Sequence, residues 1–331
     1  MRENSYTNFS IVIIFTNKYY RLTTDNLMSA IRTNELTKRY GPQTVVSEID
    51  LAVDRGEVYG FLGPNGAGKS TTIAMLLSYV HPTAGAARIF GKDVREDGVE
   101  LKHRVGVLPE ACRLYDRLSG RKHLSFAIDS TGSDDDPDEL ADRVGLETTA
   151  VRQPVGEYST GMKQRLRLAL ALVGEPELLV LDEPSSGLDP AGIQLLRRLV
   201  LEERDRGTTV FFSSHLLEQV EAVCDRVGIL VDGKLLTSGK LDELKSEIGP
   251  AVELAISVDA TSSQLVADVE SLEGVTACTV LNGRLEVSLS TDTSKAEVIQ
   301  TVEAYTTIKD FTTEEPSLES LFEDCVTEAN R

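Results

Sequence analysis

The run Gly63-Pro64-Asn65-Gly66-Ala67-Gly68-Lys69-Ser70, followed by Thr71, constrains this chain more than any other feature. It fits the pattern G-x-x-x-x-G-K-[ST]. The apolar run Val58-Tyr59-Gly60-Phe61-Leu62 leads into it and reads as a buried parallel strand, and residues 70–80 read as a helix. A glycine-rich turn between strand and helix lets backbone N–H groups approach phosphate oxygens closely, and the helix N-terminus adds positive potential. Lys69 is expected to reach the β- and γ-phosphates of a nucleotide, and the Ser70 hydroxyl to ligate Mg²⁺. The expected class is therefore α/β.

A metal beside phosphate needs an acidic partner, and Leu178-Leu179-Val180-Leu181-Asp182-Glu183 offers one. Four apolar residues make a buried strand, and Asp182 sits at its carboxyl end, where ligand groups gather in open parallel sheets. Asp182 is expected to hold Mg²⁺ through water. Glu183, one residue on, is placed to polarise an attacking water as general base.

Composition narrows the partners. The chain has 331 residues, enough for one large α/β domain and one small one, and 41% are hydrophobic, which excludes a disordered chain. The net charge of −19 repels phosphate backbones, so nucleic acid is not an expected partner. The acidity is spread along the sequence, densest at Asp134-Asp135-Asp136, a run expected to be a solvated loop without chemistry. Spread acidity suits solubility in high salt, as in halophilic organisms, and equally an ordinary acidic cytoplasmic protein. Cys112, Cys224, Cys278 and Cys325 show neither C-x-x-C nor zinc spacing and fit reduced thiols. No run approaches the roughly 20 apolar residues that cross a bilayer. Residues 1–30 read as an N-terminal extension, with Met28 the expected true start.

Along the chain, strand patterns flank Tyr40-Gly41-Pro42, and an extended segment covers residues 83–90. A polar, helix-rich subdomain is expected over about 93–165. Buried strands follow at 177–181 and 208–212, and a hairpin turns at Asp232-Gly233. The main domain is assigned to 31–248. Residues 250–331 carry the order β-α-β-β-α with a fourth strand at 308–312 and a terminal helix at 317–326. That order suggests a small α+β accessory domain of ferredoxin-like type.

Three further stretches give the chain a resemblance to the ATP-binding subunits of ABC transporters. Tyr158-Ser159-Thr160-Gly161-Met162-Lys163-Gln164-Arg165 is similar to the family signature, usually LSGGQ-x-R. Ser186-Gly187-Leu188-Asp189 matches the D-loop, and His215 matches the switch histidine after the strand at 208–212. The match covers about residues 31–244 in the family's order. It implies a P-loop NTPase cassette: a mixed sheet with flanking helices and an inserted helical subdomain. It makes Glu183 and His215 the catalytic pair and Tyr40 an aromatic that stacks on adenine. The loop from Gly63 to Thr71 becomes the ATP site, with Ser70, Glu110 and Asp182 toward Mg²⁺. Ser159, Thr160, Gly161 and Met162 would serve ATP bound to an opposite subunit. It further implies a homodimer or a pair with a similar ATPase subunit, a separate transmembrane permease, and a peripheral place on the cytoplasmic face of the membrane.

Two departures stand out. The signature has Tyr158, Thr160 and Met162 where the family has Leu, Gly and Gln, and Glu110 stands where the family's Q-loop has Gln. Ser159 can still cap its helix and aim the helix N-terminus at a phosphate. The substitutions resemble the drug- and multidrug-exporter branch, which also carries a small C-terminal domain. Read alone, a histidine after a strand is most often a capping or surface residue, Tyr40 has an alternative as a packed turn aromatic, and the C-terminal domain reads as regulatory or dimer-stabilising or equally as packing only. The alternative function is a soluble ABC ATPase on ribosomes or DNA. Against it, the chain holds one cassette, no long coiled coil and a strong acidic charge. A GTPase would need an N-K-x-D run, which is absent after the loop.

Overall fold

The computed structural model describes residues 29–110, 112–247, 252–281, 283–290 and 295–314. Two compact units divide between Ser238 and Gly239. That division falls about ten residues before the boundary expected from Gly249-Pro250, a dipeptide outside the described residues.

The first unit holds two sheets. One contains β1 (Ser29–Tyr40), β2 (Gln43–Ile49), β3 (Ala52–Asp54), β5 (Ala84–Ile89) and β6 (Lys92–Asp93), with β1 pairing antiparallel to β2, β3 and β5. The other contains β4 (Val58–Leu62), β7 (Val105–Leu108), β8 (Leu178–Asp182), β9 (Thr209–Ser214), β10 (Arg226–Val231) and β11 (Lys234–Lys240), in the order β11-β10-β4-β9-β8-β7. Strands β10, β4, β9, β8 and β7 run parallel. Strands β4, β8 and β9 are buried along their whole length, as unbroken apolar runs covered on both faces require. Phe211 of β9 ties the core together, stacking on Tyr59 at 5.9 Å and meeting Phe61 at 5.2 Å. The turn Asp232-Gly233 has positive φ at both residues, which is the geometry of a tight two-residue hairpin.

Around these sheets lie α1 (Lys69–Leu76), α2 (Gly98–Lys102), α3 (Gly120–Thr131), α4 (Pro137–Arg143), α5 (Thr148–Val151), α6 (Thr160–Ala171), α7 (Pro190–Asp205) and α8 (Leu217–Glu221). Two expectations are corrected here. Residues 1–30 were assigned to an extension, but β1 begins at Ser29, which pairs with Asp54, and Ala30 is fully buried. Residues 1–28 lie outside the described residues. The helical subdomain was expected from Asp93, yet Val105–Leu108 is strand β7, paired parallel with β8 in the central sheet. Four residues are too few for a periodic signal, so the helical segment starts after β7.

The acidic run was expected to be solvated and idle, and it has structural work. Asp136 caps α4 by accepting from the N–H groups of Asp138 and Glu139, with Pro137 in the first turn. Asp135 Oδ2 accepts from the Gly174 N–H at 2.7 Å and from Ser133 Oγ at 2.8 Å. The helical segment is also pinned by charge. Glu203 of α7 is 3% exposed and receives Arg143 at 2.6 Å, Arg206 at 3.2 Å and the Thr208 hydroxyl at 3.2 Å.

The second unit contains α9 (Leu241–Glu247), β12 (Val252–Val258), α10 (Ser263–Glu270), β13 (Val275–Leu281), β14 (Arg284–Leu289), α11 (Lys295–Glu303) and β15 (Ile308–Glu314). Its four strands form an antiparallel sheet in the order β13-β14-β12-β15, which is the ferredoxin-like arrangement. Burial alternates along β12, and Leu265, Val269, Val298 and Val302 of the two helices close the core over Leu254, Ile256, Leu285 and Val287. The helix expected at 317–326 lies outside the described residues.

Candidate functional site

Strand β4 delivers the chain into the loop of residues 63–68, and α1 leaves it at Lys69. Gly68 has φ near +105°, and a Cβ there would lie 2.8 Å from the Val45 carbonyl oxygen, so only glycine fits. The loop borders a cavity of about 310 Å³ lined by Val45, Pro64, Asn65, Gly66, Gly68, Lys69, Ser70, Thr71, Glu110 and Glu183. Gly63 and Ala67 stand behind it as loop framework: Ala67 is buried and its carbonyl accepts from the Gly233 N–H. Lys69 is 6% exposed and folds onto its own loop, donating to the Gly63 carbonyl at 2.6 Å and lying 3.5 Å from Glu183 Oε1.

The parallel register sets β8 beside β9 and brings the acids to the same end. Ser213 donates to Asp182 Oδ1 at 2.5 Å. Burial raises the Asp182 carboxyl above its ordinary range; the Ser213 and Ser70 hydroxyls lower it, and the charges of Glu110 and Glu183 raise it further. Ser70 Oγ also donates to Glu110 Oε2 at 3.3 Å. The Ser70 hydroxyl thus stands between two carboxylates, an oxygen donor set that suits a hard divalent cation. Among the described residues no three His, Cys, Asp or Glu side chains are arranged to hold a metal unaided. A cation here would draw its remaining ligands from water or phosphate oxygens.

Glu183 adopts φ near +49°, a strained value for a non-glycine residue. Its N–H is held by the carbonyl and hydroxyl oxygens of Ser213, both at 3.2 Å. This turn aims the carboxylate into the cavity. Oε2 meets His215 Nδ1 at 2.8 Å, while Oε1 is buried without a hydrogen-bond partner. A buried acceptor with a free lone pair, beside a cavity of about 310 Å³, fits a water or a proton donor that arrives with substrate.

The signature residues sit at the start of α6. Ser159 caps it, its Oγ accepting from the Met162 N–H at 3.2 Å. Thr160 has an ordinary helical backbone, so glycine is not needed there. Tyr158 is 6% exposed, its hydroxyl bonded to the Ala150 carbonyl at 2.8 Å, which explains an aromatic in place of leucine. A Cβ at Gly187 would lie 2.7 Å from Thr160 Cγ2, and Gly161 faces the Gly187 carbonyl, so the Ser186-Gly187-Leu188-Asp189 turn leans on the start of α6. Asp189 caps α7 by accepting from the Gly192 N–H at 2.7 Å. These residues do not line the cavity at Lys69. Nor does Tyr40, which is 49% exposed with Lys38 over its ring at 5.0 Å. Val45 is a cavity wall that sequence reading missed, with no local pattern to mark it; the buried Gln164 was read only as part of the signature-like stretch and given no role, and Arg167 was not read at all.

A nucleotide-hydrolysing P-loop cassette is the class this sheet and loop define. Residues 46–186 match the family model for ABC transporters, and residues 239–326 match that of the DrrA1-3-like ATP-binding protein C-terminal domain. The chain is 42% identical over 234 residues to the bacitracin transport ATP-binding protein BcrA of Bacillus licheniformis, covering 70% of this chain and 76% of that one. It is 30% identical over 301 residues to the linearmycin resistance ATP-binding protein LnrL of Bacillus subtilis, covering 88% and 96%. Among solved structures, an ATP-binding subunit of an ABC transporter superposes with a TM-score of 0.62 at 30% identity, covering 67% of this chain and 94% of the other. The chain belongs to the ABC transporter family as an ATP-binding subunit, and it hydrolyses ATP to power transport. The ribosome or DNA alternative is not favoured.

Proposed function

We propose that this chain energises an exporter by closing, as a dimer, around two ATP molecules. Each ATP would lie between the loop of residues 63–71 of one copy and the Ser159–Met162 turn of the other. The observation that carries this reading is the split of the site. Lys69, Ser70, Glu110 and Glu183 border one cavity, with Asp182 bonded behind it to Ser213, while the capped start of α6, suited to an anion, is not part of its wall.

In this reading Lys69 leaves the Gly63 carbonyl and Glu183 to meet phosphate oxygens. Ser70, Asp182 and Glu110 would hold Mg²⁺, which supplies charge neutralisation at the phosphates. Glu183 orients a water on its free Oε1 and accepts its proton, and His215 fixes the other oxygen of the carboxylate. Tyr40 would stack on adenine only after a movement of its exposed ring.

No helix among the described residues is long and apolar enough to cross a membrane. The relatives' roles in bacitracin transport and linearmycin resistance support an exporter of antibiotic-like molecules, with a separate permease and a peripheral place on the membrane. A groove of about 410 Å³ with mixed lining, among it Leu76, Tyr79, Leu101, Lys102, His103 and Ala127, is a candidate seat for that permease. The test is sedimentation of the chain with ATP and with the Glu183→Gln variant. An ATP-dependent dimer supports the reading, and a monomer at saturating ATP with full turnover overturns it.

A further inference from the structure

We infer that Gln164 and Arg167 form a positioning relay, through which the helix bearing Ser159 sets the aim of Glu183 in its own subunit. The inference rests on Glu183 acting as the water-orienting carboxylate. Neither residue borders the cavity; Gln164 lies in the signature-like stretch without a nucleotide role assigned to it, and Arg167 lies beyond that stretch.

Both residues sit on α6, three apart, so their side chains share one face. Gln164 is 5% exposed. Its Nε2 donates to the Pro184 carbonyl at 2.9 Å. Its Oε1 accepts from Arg167 Nη1 at 3.0 Å. Arg167 Nε then donates to the Cys112 carbonyl at 3.0 Å. A donor on one side and an acceptor on the other fix which way the amide points. Glutamate could not donate to Pro184, and methionine could do neither.

The ends of this chain of bonds lie beside the two carboxylates of interest. Pro184 follows Glu183, whose φ near +49° is strained and persists only where its surroundings over-determine it. Ser213 grips the residue from its N-terminal side, and Gln164 grips the backbone just after it. Cys112 lies two residues beyond Glu110. Ser159, the cap of α6, is five residues before Gln164, about 7.5 Å along a rigid helix. An anion held at the Ser159 cap therefore fixes the same rod that fixes Pro184. Filling of the opposite subunit's site is reported to this subunit's Glu183, and the position of the Glu110 loop enters through Arg167.

The test compares Gln164→Met, Gln164→Glu and Arg167→Lys with the parent chain and with Glu183→Gln. Turnover and KM for ATP are measured at 20 °C, and the thermal midpoint is taken from a melt. A misplacement near 1 Å costs up to about a hundredfold in rate, so kcat is expected to fall about tenfold to a hundredfold in both Gln164 variants. KM is expected to stay within twofold, a split that loss of packing alone would not produce. Arg167→Lys keeps the charge and one donor and is expected to fall less, and it carries the test if a Gln164 variant does not fold. The double variant Gln164→Met with Arg167→Lys is expected to lose no more than the worse of its two single variants, as residues acting as a unit do. Unchanged kcat, or kcat and KM worsening together, or additive losses would overturn the relay. Retained turnover in Glu183→Gln would instead overturn the assignment on which the relay rests.

Discussion

Replacing Glu183 with Gln removes one charge and keeps the side chain's shape. In the site as it stands, Oε1 lies 3.5 Å from Lys69 Nζ and Oε2 lies 2.8 Å from His215 Nδ1. At an effective dielectric constant near 20, an ion pair at that spacing attracts by about 5 kcal/mol. Most of this is offset by taking two charges out of water. Lys69 has to give up the contact before it meets phosphate oxygens. With glutamine it gives up less, and the repulsion between a carboxylate and a γ-phosphate disappears. ATP binding is therefore expected to hold or tighten. Loss of a positioned base lowers hydrolysis by about 10²–10⁴-fold. Calorimetry gives the Kd for ATP, and phosphate release gives the turnover. Turnover within tenfold of the parent, or clearly weaker ATP binding, would refute the reasoning.

Lys69→Ala is expected to weaken ATP binding by several kcal/mol, since a charge-assisted contact to two phosphates is lost; unchanged binding in the same calorimeter contradicts it. Asp182→Asn is expected to raise the thermal midpoint of the nucleotide-free chain at pH 7 while abolishing Mg²⁺-dependent ATP binding. A carboxyl whose folded pKa is raised contributes stability only below its unfolded pKa and loses it as pH rises through the folded value, so at pH 7 its charge is a cost; the gain in midpoint should shrink toward pH 4, and a lower midpoint at pH 7 contradicts the argument. Phe211→Ala should destabilise the first unit by about 3–5 kcal/mol in urea melts, because a fully buried ring is replaced by a cavity. With a net charge of −19 and a screening length near 3 Å in 1 M salt, the thermal midpoint is expected to rise between 0.1 and 2 M KCl; a falling midpoint would assign the acidity to an ordinary acidic protein.

What the sequence made legible was whatever is written within a few neighbouring residues. The loop from Gly63 to Ser70, the unbroken apolar runs of β4, β8 and β9, and the alternation of β12 each carry their own signal. Glu183 and His215 were named from their motifs, and the parallel register of β8 and β9 is what brings them to 2.8 Å. The failures share a cause, which is that the deciding contact is distant in sequence. Strand β7 is too short to announce itself and exists because β8 offers an edge. Asp135 reads as solvated until Gly174 is placed beside it. Gln164 stands in the signature-like stretch with no role of its own, and its bond to Pro184, twenty positions away, is what gives it one. The backbone strain at Glu183 has no signature in residue types at all.

The buried carboxylate of Glu203, held by Arg143, Arg206 and Thr208, bears on how this sequence can drift. Losing a single partner of a buried ion pair typically costs 3–5 kcal/mol, whereas exchanging the whole set for well-packed apolar residues is often neutral. Positions 143 and 203 lie sixty residues apart, on α4 and α7. They are nonetheless tied in inheritance. A descendant that changes one is penalised until it changes the other, so the two are expected to persist together or to vanish together.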